Sequence, residues 1–471
     1  MFCVSLNGKN VSDILRIQIM DGKVFAFIDS NKARFLDELQ NFLKIPSISA
    51  DSKYKNHLLA CAKWLTNHLQ SIGLDAKLIE TKGHPIVRAF GKGAAGKRLL
   101  IYGHYDVQPP DPVDKWVSPP FTPTVRDGFI YARGATDDKG QLFAHVKAVE
   151  SLLKTAGKLP CDIIFLVEGE EECGGNALEE YIKKEKDALA CDAVVISDTS
   201  MYDEKTPAIT YGLRGIVAME IRVRTAAADL HSGVYGGAVA NANTALAHII
   251  SRCIGLDGQI KIQNFYDQIR PLEDWEKKNF EKLAFNDKTF LKETGAKRTF
   301  GEPGRPTLER LWARSALDVN GMFGGYTGEG MKTVIPHRAT AKITIRLVPD
   351  QNPAKMADNV AKFVKSVCPD FAEVEVAGPL SAAEPVIFDV KDKMIQAGML
   401  ALKAGFDSEP VFIRSGGSIP VVNTFWKELR KPVILMGFGL DSDGAHSTNE
   451  KFKIDNFLKG IKTSASLLSN L

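Results

Sequence analysis

Apolar residues recur at three- and four-residue spacing over 31–45 and again over 54–72, where Leu58, Leu59, Cys61, Ala62, Leu65 and Leu69 form one stripe. That period predicts two amphipathic helices. Short apolar runs then take over. Residues 99–102, 163–167 and 193–196 read as buried strands, each running into polar residues at its end. Helical patterns follow Asp138-Lys139-Gly140 to about Ala156 and cover 176–188. The alternation resumes late, with strands at 410–413 and 432–438 and a last helix from about 453. Strands alternating with helices predict an α/β layer, a mostly parallel sheet flanked by helices.

Between these stretches the pattern changes. Residues 209–225 alternate, with Met219, Ile221 and Val223 on one side and Glu220, Arg222 and Arg224 on the other. A helix at 238–252, a second alternating strand at 339–348, a helix at 353–367 and a strand at 372–377 follow. This order predicts an inserted α+β unit of ferredoxin-like type. The expected division is 1–208 with 385–471 as one domain and 209–384 as the insert. Residues 255–330 fit this order poorly; they hold a charged helical stretch and a glycine-rich loop at 321–330.

The chain has 471 residues, 44% hydrophobic and 25% charged, which is ordinary for a globular protein. The net charge of +3 comes from dispersed basic residues, with no stripe of the kind that binds nucleic acid. No apolar run reaches the length of a membrane helix. The first 27 residues lack the basic start and apolar run of a signal peptide. Seven dispersed cysteines, an odd number, fit a reduced cytoplasmic protein rather than a disulfide framework.

The chemistry lies in the polar residues just past the predicted strands. They read G-H-Y-D at 103–106, T-D-D-K-G at 136–140, E-G-E-E-E at 168–172, I-S-D at 196–198 and G-A-H-S at 444–447. In open α/β sheets, ligands gather beyond the carboxyl ends of strands. His104, Asp137, Glu172, Asp198 and His446 supply two imidazoles and three carboxylates, a set suited to two divalent ions. Taken singly, each is a solvated loop residue as readily as a ligand, and Asp137-Asp138 also favours a helix N-terminus without any metal. Convergence of several segments on one edge favours the ligands. Asp106 can orient His104 through its second ring nitrogen. Adjacent Glu171 and Glu172 point different ways, so one can bind metal while the other serves as a base.

Other motifs fail. The run 91–98 approaches a phosphate-binding loop, but Arg98 replaces the needed hydroxyl and the run precedes a strand; it reads as a solvated turn. Asp441-Ser442-Asp443-Gly444 is too short for an EF-hand, no G-x-S-x-G elbow occurs, and acidic neighbours argue against Cys173 as a nucleophile.

At these motifs the chain resembles the co-catalytic zinc metallopeptidases that include carboxypeptidases, aminoacylases and carnosinases, most nearly the cytosolic nonspecific dipeptidase branch. The resemblance spans about 30–471. It rests on G-H-Y-D-V-Q-P-P (103–110), A-R-G-A-T-D-D-K-G (132–140), I-T-Y-G-L-R-G (209–215), D-L-H-S-G-V-Y-G-G (229–237), G-G-Y-T-G-E-G (324–330), K-T-V-I-P (332–336), I-R-L-V-P (345–349), G-G-S-I-P (416–420) and D-G-A-H-S (443–447). It implies two zinc ions, with manganese as a substitute. Asp137 would bridge them, His104 and Asp198 completing one site and Glu172 and His446 the other. Glu171 would be the general base for a metal-activated water, and Asp106 the partner of His104. A cis peptide would follow Asp137.

The resemblance further makes the insert a lid and dimerisation domain. Its His231 would reach the partner subunit's active site and stabilise the oxyanion. Thr333, Arg346 and Ser418 would hold a small peptide substrate, Arg346 by its carboxylate. The expected activity is hydrolysis of dipeptides by a homodimer. Ser415 departs from the dipeptidase branch, which commonly has an acid there near the substrate amine. Hydrolysis of N-acyl amino acids on the same scaffold therefore stays open, and a non-catalytic metal-stabilised binding protein is the remote alternative. Residues 1–28 match no motif of the family.

Overall fold

A computed structural model describes residues 11–471. Cys3 and part of the stretch read as lacking a signal sequence lie outside the described residues. Contacts divide the chain into two units. One runs to Tyr211 and resumes over Phe388–Ile413 and Thr424–Leu471; the other comprises Gly212–Ile387 and Arg414–Asn423.

The first unit is built on a six-stranded sheet. Its order is Asp75–Ile79, Ile86–Gly91, Leu159–Glu168, Gly93–His104, Ala193–Ile196, Val433–Leu435. The last four strands are parallel, and the first two form an antiparallel edge. The parallel strands read as unbroken apolar runs because both faces are covered: every residue of Ala193–Ile196 is buried. Helices Lys139–Ala156, Lys393–Phe406 and Ile454–Ser469 pack in this unit. Helix Val11–Ser30 joins them, burying Val24 and Ile28 and bonding Asp21 to Ser466 and Asp29 to Lys462. No helix among the described residues is long and apolar enough to cross a membrane.

The solvated turn expected at 91–98 is a correction. Gly93–Arg98 belongs to the strand Gly93–His104, pairing with Leu159 and Cys161 through a bulge between Ala95 and Arg98. Lys92, just before this strand, and Arg98 within it both pair with Asp162.

The second unit holds a four-stranded antiparallel sheet in the order Ala316–Gly324, Arg338–Leu347, Gly215–Arg224, Glu373–Ala383. With helices Ala242–Cys253 and Pro353–Ser366 the chain order is βαββαβ, the ferredoxin-like arrangement. One face of the alternating strands (Val217, Met219, Ile221, Val223, Ile343, Ile345) packs with Leu246, Ile249, Val360 and Val364 into a core. Two expectations change here. The long strand at 209–225 breaks at Arg214 into Ala208–Leu213 and Gly215–Arg224. Part of the glycine-rich loop is strand: Ala316–Gly324 is the second strand of the unit. The second unit also takes Arg414–Asn423, which the sequence division leaves with the outer domain; the Arg414–Glu276 ion pair ties that segment in.

Candidate metal centre

Strand Gly93–His104 ends on His104, which is fully buried. Gly103 precedes it because a Cβ there would come 2.8 Å from Asp138 Oδ2, the oxygen that accepts the His104 backbone N–H at 3.3 Å. Asp137 sits just before helix Lys139–Ala156, and the Asp137–Asp138 peptide is cis. Strand Leu159–Glu168 leads into a short 3-10 turn, Glu171–Cys173. Asp198 follows strand Ala193–Ile196, and His446 follows the turn Asp441–Asp443 with a left-handed φ of 60°.

These residues meet in the first unit. His104 Nε2 lies 3.1 Å from Asp137 Oδ1 and 3.8 Å from Asp198 Oδ2. His446 Nε2 lies 2.9 Å from Asp137 Oδ2 and 3.2 Å from Glu172 Oε2. The chain thus forms two groups of possible ligands, His104–Asp137–Asp198 and Asp137–Glu172–His446, each with its donor atoms within 4.8 Å of one another. Asp137 is common to both and turns one oxygen to each.

The residues fit a pair of cations. Three carboxylates share two imidazoles. Burial pushes Asp198 well above the usual carboxylate range, and the Asp137 charge adds to it. Burial also acts upward on Asp137, but its bonds to His104 and His446 outweigh it and hold the carboxyl low. Asp137 and Glu172 raise the His446 imidazole to about 10, against the pull of burial. Carboxylates crowded this way are relieved by bound positive charge.

Asp106 is buried beside His104. The His104 Nδ1 lies 3.1 Å from the Asp106 backbone carbonyl and 3.4 Å from its Oδ1, while Oδ2 accepts the Glu172 N–H at 3.0 Å. One residue therefore contacts a candidate ligand from each group. Among the described residues the buried Asp106 Oδ1 has no hydrogen-bond partner. Glu171 belongs to neither ligand group. Its carboxyl is pushed up to about 7, first by burial, with Glu172 and Asp137 raising it against His104.

Sequence reasoning missed the supports. Glu450 is fully buried. It accepts the backbone N–H groups of Gly134, Thr136 and Asp137 at 2.8, 2.9 and 3.0 Å and pairs with Arg133 at 2.7 Å. Gln108 donates to Glu172 Oε2 at 2.8 Å. A third acidic group, Glu38–His68–Glu150, is no such centre: the Lys147 ammonium fills it, donating to Glu38, to His68 Nε2 at 2.7 Å and to Glu150 at 2.7 Å.

The other candidates lie in the second unit as two pairs. His231 and Val334 face each other across a short ladder, so exposed His231 and Thr333 are neighbours; Ser232 N–H donates to the Thr333 carbonyl at 3.1 Å. His231 Nδ1 accepts the Gly233 N–H at 3.0 Å, which leaves Nε2 as the protonated nitrogen. Arg346 Nη1 donates to Ser418 Oγ at 2.9 Å.

The sequence profile of peptidase family M20/M25/M40 matches residues 100–470. The chain is 33% identical over 463 residues to a Cys-Gly metallodipeptidase of Candida albicans, covering 93% of this chain and 95% of that protein. Human carnosine dipeptidase 1 has a similar structure, with a TM-score of 0.84 and 30% identity over 96% of this chain and 98% of that one. So does a metallo-carboxypeptidase of Sulfolobus solfataricus, with a TM-score of 0.82 and 34% identity over 92% of this chain and 98% of that one.

Proposed function

The chain belongs to peptidase family M20/M25/M40, and on that premise we propose that it hydrolyses the peptide bond of dipeptides at a centre of two metal ions. The observation that carries this reading is Asp137, whose two oxygens face His104 and His446 separately. Two zinc ions, or manganese in their place, held by His104, Asp137 and Asp198 and by Asp137, Glu172 and His446, would supply an activated water and polarise the scissile carbonyl.

The remaining work falls to the chain's own residues. Glu171, held near neutrality and outside both ligand groups, takes a proton from water and passes it to the leaving amine. Asp106 fixes the ring of His104 and the backbone of Glu172. His231 of one chain, donating from Nε2, stabilises the oxyanion that develops in its partner's site, with Thr333 beside it. Arg346 binds the substrate carboxylate, an arrangement that suits its planar fork, and Ser418 holds that guanidinium in place.

The second unit bears His231 but none of the candidate metal ligands. It also exposes Val234, Tyr235, Met322, Phe323 and Met331. Both features support a homodimer formed through this unit. The free cysteines, four of them buried among the described residues, support residence in the cytoplasm.

A second reading, hydrolysis of N-acyl amino acids, rests on Ser415, which offers no charge to a substrate amine. Comparing a dipeptide with its N-acetylated form separates the two. Strong preference for the free amine supports the dipeptidase, and equal or better turnover of the acetylated form supports the acyl-amino-acid hydrolase.

A further inference from the structure

Two arginines of the second unit converge on one loop. Arg346 lies on the strand Arg338–Leu347, half-buried, while its neighbours Ile345 and Leu347 point into the core. Its Nη1 donates to Ser418 Oγ at 2.9 Å, and that hydroxyl donates to the Arg214 carbonyl at 2.5 Å. Arg214 closes the circuit. Its Nε donates to the Gly416 carbonyl at 3.0 Å and its backbone N–H to the Ser415 carbonyl at 3.3 Å. A Cβ on Gly416 would lie 2.7 Å from Arg214 Nη2, so the guanidinium rests directly against the loop.

The charges here do not balance. Among the described residues no carboxylate pairs with either guanidinium. Asp318, exposed on the adjacent strand, acts on both only at a distance. Arg414 is already paired with Glu276, and Ser415 is neutral, its Oγ accepting the Gly417 N–H at 3.1 Å. Burial, and then the charge of Arg346, pushes the Arg214 guanidinium down to about 10. Among the described residues, both Nη groups of Arg214, and Nε and Nη2 of Arg346, have no hydrogen-bond acceptor. Two like charges partly out of water, with donors to spare, form a site that an anion stabilises.

We propose that Arg214 is a specificity-determining residue that forms with Arg346 a two-cation subsite for an acidic C-terminal residue, binding its main-chain and side-chain carboxylates together. This rests on the reading of Arg346 as the partner of the substrate carboxylate. Its added content is the second anion. An isosteric neutral side chain, glutamine in place of glutamate, leaves Arg214 unsatisfied and binds less well.

The test compares kcat/KM for Ala-Glu and Ala-Gln on the metal-loaded enzyme. The wild type is expected to favour Ala-Glu by about tenfold, the worth of one charge-assisted contact, mostly through KM. In Arg214→Gln the ratio falls toward one. In Arg214→Lys, which keeps the charge but not the fork, much of the ratio persists. Calorimetric binding of N-acetylglutamate against N-acetylglutamine reads the same preference without turnover. Failure of hydrolysis and failure of this inference are therefore separate results. No preference in the wild type by either readout overturns the proposal. So does an Arg214→Gln protein that loses both substrates equally, because Arg214 then only supports the loop.

Discussion

Glu450 and Asp137, 313 residues apart, are joined by a hydrogen bond of 3.0 Å from the Asp137 backbone N–H to Glu450 Oε1. The same carboxylate holds Thr136 and Gly134, and it lies four residues beyond His446. The loop that presents the shared candidate ligand is thereby fastened to the segment that presents a candidate ligand of the second group.

Glu450→Gln tests that coupling. An amide has one acceptor oxygen, so part of the set is lost and an NH2 meets backbone donors. Supports of this kind are worth about 10- to 100-fold in metal affinity. The expected result is a folded protein, by circular dichroism, that loses metal on dialysis against a chelator concentration the wild type withstands. Unchanged retention would reduce Glu450 to a packing residue.

The adjacent glutamates should behave differently. Glu171→Gln is expected to keep its metal and lose at least about 10²-fold in kcat, the low end for a general base. Glu172→Gln is expected to lose metal first, because its oxygen faces His446. Metal content and single-turnover rates of the two variants distinguish these outcomes, and normal turnover by Glu171→Gln would reverse the assignment.

Stability should fall in mild acid through a buried histidine. Burial holds the His145 imidazole down to about 3, between Ser464 Oγ at 2.8 Å and Ser197 Oγ at 2.7 Å. The unfolded chain binds this proton at about 6.5, the folded one only near 3. The contribution is complete above pH 6.5 and is lost as pH falls toward 3, at up to about 1.4 kcal/mol per pH unit. Half-buried His68, lowered to about 4 by desolvation and then by Lys147, adds to the slope until about pH 4. Urea unfolding of the metal-free protein from pH 7.5 to about 5 should show this slope, made shallower by His145→Gln. Equal slopes would mean that His145 is not neutral in the folded state.

Three of the proposed ligands were legible because each follows an apolar run. His104, Glu172 and Asp198 lie at or just past strands whose final residues are buried. Glu450 gave no such signal: it is a lone acid in a loop, and its partners lie more than 300 residues away. The strand Ala316–Gly324 was hidden because its side chains alternate only weakly in burial and its end carries Gly321 and Gly324. The break at Arg214 was hidden because apolar alternation continues across it, while the interruption comes from bonds to Ser415 and Gly416, remote in sequence.

Composite sites predict rescue between inactive proteins. His231→Ala and Glu171→Gln are each expected to be nearly inactive. In a mixed dimer with trans His231, one site carries both losses and the other none. Random pairing then restores up to about a quarter of wild-type activity per chain, by two-fold symmetry. If subunit exchange is demonstrated and activity stays at the level of the single variants, His231 does not serve the partner's site.

The central claim is that Asp137 joins two metal sites into one catalytic centre. Its most direct test is titration of zinc, and separately manganese, into chelator-stripped protein, with bound metal and dipeptide hydrolysis followed together. The prediction is no activity without metal, restoration on adding it, and saturation at about two ions per chain. Full activity in stripped protein, or saturation at one ion with full activity, would contradict it.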